Sequence, residues 1–320
     1  MSAGTLQVGT PRVGTLQVGI DIGGTKTDAV AIAGDGRIVQ RLRMPTGFGP
    51  RAVVETAVAA VTALAEATGT AITDFASIGI GIPGAVDPAT GRVTHAVNLG
   101  LEGLELGSEL SGRLGRPVRI DNDVNAAALG AFRLLEKHDD QSMAFLNLGT
   151  GLAAGIIING AIWRGSRGTA GEIGHIPVDP NGPECPCGQR GCLEMLASGS
   201  AIARQWPTDD PKPARALFAA AAEGDPRAVQ VRRRFVENVA AAVRILVLTV
   251  DVDSVVIGGG LSSLGPVLLD EVREVLASWE AASPFLASTH LSQRIAIVPV
   301  DFPAAAVGAA LVGVPVLEKH

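Results

Sequence analysis

Residues 16–43 read LQVGIDIGGTKTDAVAIAGDGRIVQRLR, and the fold hangs on this stretch. Val18 to Ile22 is apolar with one acid, Asp21. Gly23-Gly24-Thr25-Lys26 is a turn rich in hydrogen-bond donors. Ala29 to Ile32 makes a second strand, and Gly34-Asp35-Gly36 closes a hairpin to Ile38-Val39. Residues 144–163, AFLNLGTGLAAGIIINGAIW, repeat the pattern. Ala144–Leu148 is a strand, Gly149-Thr150-Gly151 a small donor-rich turn, and Leu152–Ile158 the next strand. Asn159-Gly160 is a strong hairpin signal into a third strand at Ala161-Ile162-Trp163. Each half of the chain therefore opens with a β-meander whose first turn is Gly/Thr. Successive backbone N–H groups in such turns form anion-binding nests. One Gly-Gly-Thr says little, but two such turns at equivalent places in two similar units suit a polyphosphate chain held from both sides.

Arg51 to Thr68 carries Val54, Ala57, Val58, Val61 and Leu64 at helical spacing, and Gly69 fits a helix stop. Ser77 to Pro83 reads as a buried strand ending at Gly84. Residues 119–130, RIDNDVNAAALG, end a short strand at Ile120 and start an alanine-rich helix near Asp123. Asp123 could accept a hydroxyl proton there, and Asn122 could hydrogen-bond a sugar. Equally, one of Asp121, Asn122 and Asp123 should cap the helix. A helix start favours a charged carboxylate and so a weaker base. Phosphoryl transfer tolerates that, because its loose transition state needs orientation more than deprotonation. Ala228 to Leu248 is a long helical pattern. Ser254 to Ile257 leads into Gly258-Gly259-Gly260, which leaves room for a flat base or a ribose, and would also serve as a turn that needs positive φ. Pro303 to Val314 reads as a helix, either returning to the first domain or lying on the surface.

All three cysteines, Cys185, Cys187 and Cys192, fall within Gly171–Glu194, GEIGHIPVDPNGPECPCGQRGCLE. With His175 they form a closed Cys3His set of the kind tetrahedral zinc takes, without an open position for water. A structural Zn²⁺ is therefore expected, pinning the loop and the acids Glu172 and Glu194. The alternative is three unrelated buried cysteines and a surface histidine. Gly188 and Gly191 allow the sharp turns that such chelation needs.

With 320 residues, 47% of them hydrophobic and 18% charged, the chain has material for two globular α/β domains. A net charge of −6 leaves no electrostatic footprint for nucleic acid. The apolar runs are too short to span a membrane, and no signal peptide is visible. Free thiols in one metal-type cluster suit a reducing, cytoplasmic setting. A direct repeat, Gly4–Gly9 and Gly14–Gly19, places an extra arm over residues 1–15 to which no function is assigned.

Together the motifs resemble the ROK family of repressors, open reading frames and sugar kinases, within the actin-like ATPase superfamily. The resemblance runs from about Leu16 to about Gly313. It rests on DIGGTK (21–26), GIPG (81–84), DNDVNAAALG (121–130), LGTG (148–151), GEIGH (171–175), CPCGQRGCLE (185–194) and IGGG (257–260). It implies two actin-like (RNase H-like) α/β domains with duplicated βββαβα cores and an interdomain cleft. The small domain would be 16–121 plus the C-terminal helix 303–320, and the large domain 122–302. It implies an ATP- and Mg²⁺-dependent hexose kinase, with glucose favoured. N-acetylmannosamine or N-acetylglucosamine kinases are the alternatives, and a non-catalytic sugar sensor or a polyphosphate donor stands further off. Asp123 would be the base. Gly84, Asn98, Asn122, Glu172, His175 and Glu194 would contact the sugar, His175 by the ring nitrogen that zinc leaves free. Asp21 would hold Mg²⁺ through water. Gly23, Gly24, Thr25, Lys26, Gly149, Thr150 and Gly151 would hold phosphate, and Gly258, Gly259 and Gly260 would face adenosine. A homodimer is expected. A repressor is not, since few residues precede the first strand. One departure bears on the sugar: the family often has an aromatic after Asn-Leu-Gly, where Asn98-Leu99-Gly100 is followed by Leu101.

Overall fold

The computed structural model describes residues 16–314, so the N-terminal arm and the end of the chain lie outside the described residues. The described residues form two compact units, 16–126 with 305–314, and 127–304.

In the first unit, the opening stretch folds as an antiparallel meander of β1 (Gln17–Ile22), β2 (Lys26–Ile32) and β3 (Ile38–Pro45). Helix α1 (Pro50–Thr68) follows, with Pro at its start and Gly69 in the left-handed conformation at its end. Its buried stripe, Val53, Val54, Ala57, Ala60, Val61 and Leu64, joins the core that also takes Val18, Ile20 and Ile22. Each fully buried Val or Leu contributes about 1.5–3 kcal/mol. β4 (Ser77–Ile82) then pairs parallel with β1. A three-stranded antiparallel sheet that the motifs did not announce comes next: β5 (Ala85–Asp87), β6 (Arg92–Ala96) and β7 (Leu101–Leu104). Helix α2 (Leu106–Leu114) leads to β8 (Val118–Asn122), parallel to β4, and α3 (Asp123–Leu134) begins at once. The sheet order is β3-β2-β1-β4-β8.

The chain passes into the second unit inside α3, between Ala126 and Ala127, rather than at residue 122. β8 keeps its ladder to Asn122, so Asn122 and Asp123 are tied to the first unit's sheet. The second unit repeats the plan with β9 (Met143–Leu148), β10 (Leu152–Ile158) and β11 (Ala161–Ile162). Asn159 and Gly160 both have positive φ, as a type I′ hairpin requires. Trp163 lies beyond β11, so the third strand is shorter than expected. After the metal-type loop come α4 (Gly199–Gln205), α5 (Pro213–Ala222) and α6 (Pro226–Val250), the long helix expected over 228–248. β12 (Ser254–Gly258), α7 (Pro266–Ala282), a short α8 (Pro284–Ala287) and β13 (Ile295–Ile297) complete it. The sheet order β11-β10-β9-β12-β13 matches the first unit strand for strand, with the same antiparallel and parallel pairings.

Helix α9 (Ala304–Val312) returns to the first unit. It packs backbone on backbone: a Cβ on Gly19 of β1 would collide with Ala306 and Ala310, and one on Gly79 of β4 with Ala309 and Gly313. Of its two sequence readings, a returning helix or a surface helix, the structure takes the first. Among the described residues, no helix is long and apolar enough to cross a membrane.

Candidate functional site

In the first unit the β1–β2 turn is built by hydrogen bonds. Gly23 donates its N–H to Lys26 O at 3.0 Å, closing the turn, and Thr46 N–H donates to Thr25 O at 3.1 Å. Gly24, Thr25 and Lys26 stay exposed. Asn98 packs beside Gly24, where a side chain would meet its Cβ at 3.3 Å. The register sets three charged residues side by side, with Asp21 opposite Asp28 and Asp28 opposite Arg43. Asp28 is buried, and accepts from Arg43 Nη2 at 2.9 Å and from Arg41 Nη2 at 3.3 Å. Arg43 is held firmly protonated, chiefly by its hydrogen bond to Asp28. Loss of water around Asp21, and then the charges of Asp123 and Asp28, push the Asp21 carboxyl up to about 8, against the pull of Lys26 and Arg43.

The β8–α3 junction explains why three acid-amide residues run together. Asn122 is the cap: its Oδ1 accepts from Val124 N–H at 2.9 Å and Asn125 N–H at 3.3 Å. Its Nδ2 donates to Gly84 O at 3.2 Å, so its amide ties the helix start to the GIPG turn. Asp121 is buried, and accepts from Asn122 N–H at 2.8 Å and Asn125 Nδ2 at 3.2 Å. Asp123 is then left half-buried in the helix's first turn, with one oxygen accepting from Val124 N–H at 3.0 Å. Gly84 has φ +101°, and a Cβ there would strike Thr94 O and Ala96 N. Leu101 is buried in β7 and cannot serve as the loop's aromatic. An aromatic nevertheless covers that loop: the Phe48 ring lies over Gly100, 75% exposed, with Gly49 N–H bonded to Leu99 O at 2.9 Å. Sequence spacing hid it, because Phe48 and Gly100 are far apart in the chain.

In the second unit the β9–β10 turn closes with Gly149 N–H donating to Gly151 O at 3.0 Å. The start of α4 backs it: Gly199 N–H donates to Gly149 O at 2.8 Å and Ser200 N–H to Thr150 O at 3.2 Å. Glu194 Oε2 accepts from Leu152 N–H at 2.9 Å and lies where a Cβ on Gly151 would be. Residues 169–175 run against β10. Ala154 N–H donates to Gly171 O at 2.8 Å, Glu172 is exposed, and His175 N–H donates to Glu172 O at 3.2 Å. The three glycines 258–260 are explained largely by packing. A Cβ on Gly258 would enter the Phe145 ring, and one on Gly259 (φ +79°) would strike Asn147 Oδ1 and Leu148 O. Gly260 alone of the three faces open space.

The ligand atoms of His175, Cys185, Cys187 and Cys192 all lie within 4.8 Å of one another. Tetrahedral zinc with Zn–S bonds of about 2.3 Å sets its sulfurs about 3.8 Å apart. Cys187 Sγ and Cys192 Sγ are 3.7 Å apart, and Cys185 Sγ is 3.9 Å from His175 Nδ1. The donor set and spacing therefore fit Zn²⁺, with Nδ1 rather than Nε2 facing the sulfurs. Gly188 (φ +90°) and Gly191 (φ +69°) make the turns. Gln189 fastens the loop by donating to His175 O at 3.0 Å. Its backbone and side-chain hydrogen bonds lower the Cys187 thiol, whereas burial raises that of Cys192.

The repeated sheet order, with a glycine turn at the same place in each copy, defines the actin-like ATPase fold. The ROK family's sequence profile matches residues 17–311. The chain is 33% identical over 279 residues to a glucokinase of Streptomyces coelicolor, covering 81% of this chain and 86% of that one. It is 32% identical over 250 residues to an N-acetylmannosamine kinase of Haemophilus influenzae, covering 76% and 79%. Among solved structures, a ROK family glucokinase from Streptomyces griseus in complex with glucose and AMPPNP superposes with a TM-score of 0.76 at 32% identity, covering 93% of this chain and 99% of that one. The chain belongs to the ROK family, and it is a hexokinase-type sugar kinase.

Proposed function

We propose that the chain transfers the terminal phosphoryl group of Mg²⁺-ATP to the C6 hydroxyl of glucose. The observation that carries this is the placing of Asp123. It is a half-buried carboxylate at a helix start, its direction fixed by the Asn122 cap and by buried Asp121, and its charge felt by Asp21. In this reading Asp123 orients the sugar hydroxyl and takes its proton, and Asp21 meets Mg²⁺ through water. The N–H groups of residues 24–26 and 150–151 hold phosphate oxygens. Transfer then proceeds by positioning and charge neutralisation, which the loose transition state favours. Asn98, Gly84 and Asn122, with Glu172, His175 and Glu194, are the proposed sugar contacts, and Gly260 is the glycine of 258–260 with room beside it for adenosine.

Zn²⁺ on His175, Cys185, Cys187 and Cys192 would be structural, since four protein donors leave no place for substrate or water. With Nδ1 taken by the metal, the His175 tautomer is fixed and Nε2 carries the proton toward the sugar. Free thiols of this kind suit a reducing compartment such as the cytoplasm.

A panel of hexoses with ATP and Mg²⁺, compared by kcat/KM, tests this. Glucose should lead, and failure to phosphorylate any hexose would overturn the reading. Similarity of comparable strength to N-acetylmannosamine kinases supports a second reading, in which N-acetylmannosamine leads the same panel.

A further inference from the structure

The metal-type loop grips the Gly149–Gly151 turn through the one residue that follows it, Leu152, by both of its backbone polar groups. Leu152 directly follows Gly149-Thr150-Gly151. Its N–H is bonded to Glu194 Oε2 at 2.9 Å, and Glu194 stands two residues after Cys192. Its carbonyl lies against Gly174, the residue before His175, so closely that a Cβ on Gly174 would overlap it. That same Cβ would also touch Glu194 Cβ, at 3.4 Å. Both flanks of Leu152 are thus held by neighbours of metal-type ligands. Residues 176–191 carry one buried apolar side chain, Cys185, whereas Ile173 and Leu193, on either side of the ligand span, are set in the unit's main core. The span between them therefore leans on the four-ligand cluster, while Gly174 and Glu194 are held by the core on one side and by that cluster on the other. A carboxylate has two oxygens, and Oε2 is committed to the turn.

We propose that Glu194 is a positioning residue for the nucleotide. Its Oε2 fixes the backbone of the Gly149–Gly151 turn for phosphate binding, while Oε1 serves the sugar, so that the metal loop sets both affinities through one side chain. This rests on the sugar-kinase reading of the same turn. A residue that only touched sugar would leave nucleotide binding untouched when no sugar is present. Glu194 acts on it by holding Leu152 N–H, a charge-assisted hydrogen bond in a half-buried place.

The test is the Kd of Mg²⁺-AMPPNP by calorimetry without sugar, on wild type, E194A and E194Q, with zinc content and melting temperature recorded alongside. E194A should bind the nucleotide about tenfold more weakly, the scale of losing one hydrogen bond to a charged partner. E194Q keeps an oxygen acceptor for Leu152 N–H and should stay within about twofold of wild type, yet show a raised KM for sugar. If E194A melts early, zinc removal from wild type decides instead, and a nucleotide Kd unmoved by zinc loss would overturn the proposal. Removal of zinc by a chelator should weaken nucleotide binding in wild type, and weaken it little further in E194A. Equal nucleotide Kd in wild type and E194A, or equal losses in E194A and E194Q, would overturn the proposal. A wild-type protein that binds no nucleotide would instead overturn the kinase reading beneath it.

Discussion

The two glycine turns occupy the same place in two copies of one sheet, yet are backed by opposite chemistry. Two residues before the first turn stands Asp21, and two before the second stands Asn147. Asp21 is opposite Gly81 on β4, and Asn147 opposite Gly258 on β12. Behind the first turn gather carboxylates: Asp21, Asp28 and Asp123. Behind the second stand a neutral amide, a helix start and one carboxylate, Glu194, whose Oε2 is already bonded to backbone. The fold supplied two equivalent turns, and under the proposed function one is the cation side and the other a phosphate cradle. What duplicates is the hydrogen-bonded frame. What diverges is the side chain behind each turn, and that divides the work.

The comparison breaks most visibly at Asp123. Asp123→Asn should lower kcat by about 10²–10⁴ with sugar affinity roughly intact, the range for losing a positioned base. Turnover kept in a coupled assay would remove Asp123 from that role. The next largest effect is at the metal loop of the second unit. Cys187→Ser should lose zinc, read by metal analysis, and raise KM for sugar several-fold as His175 loses its anchor. Unchanged metal content and KM would detach the loop from the sugar.

Asp21 sharpens the contrast through pH. The folded chain keeps this proton up to about pH 8, whereas a free aspartate releases it near 3.8. Between those values folding takes up a proton, so the Asp21 contribution makes the nucleotide-free protein less stable as pH rises, by on the order of a few kcal/mol across the window. Asp21→Asn should flatten that slope and melt higher than wild type at pH 8, while losing activity. Asn147, neutral at every pH, gives the second turn no such term. A melting curve for Asp21→Asn that tracks wild type across pH would remove the charged half of the contrast.

The smallest test compares the two equivalent glycines. A Cβ on Gly258 runs into the Phe145 ring, so Gly258→Ala should cost about 1–3 kcal/mol of stability. A Cβ on Gly81 meets Ala126 Cβ at 3.2 Å and Asp123 Cα at 3.3 Å. Gly81→Ala should therefore change melting less and kcat more, because what must shift is the start of α3. Equal effects on both measures would show that the two positions had not diverged.

Much of this was legible in the chain. The alternation of 16–43 and its echo at 144–163 announced the meanders, Gly69 marked the end of α1, and Asn159-Gly160 marked the turn between β10 and β11, because special backbone angles need special residues. The Cys3His set was legible from composition and spacing. The small sheet of β5 to β7 was not, since its strands are short and half-exposed and lack a long alternating run. Nor was the division of labour at 121–123. The run offered three possible caps, and only the hydrogen bonds gave that task to Asn122.

The sequence by itself determined the duplicated strand pattern, the Cys3His set and the family, because these are carried by neighbours in the chain: turn residues, periodicity and cysteine spacing. Only the tertiary structure decided which carboxylate lies next to which and that α9 belongs to the first unit. It alone tied Glu194 to Leu152 and laid Phe48 over the Asn98 loop. Those facts depend on strand register and on atoms brought together across long stretches of chain, and a local pattern carries no information about either.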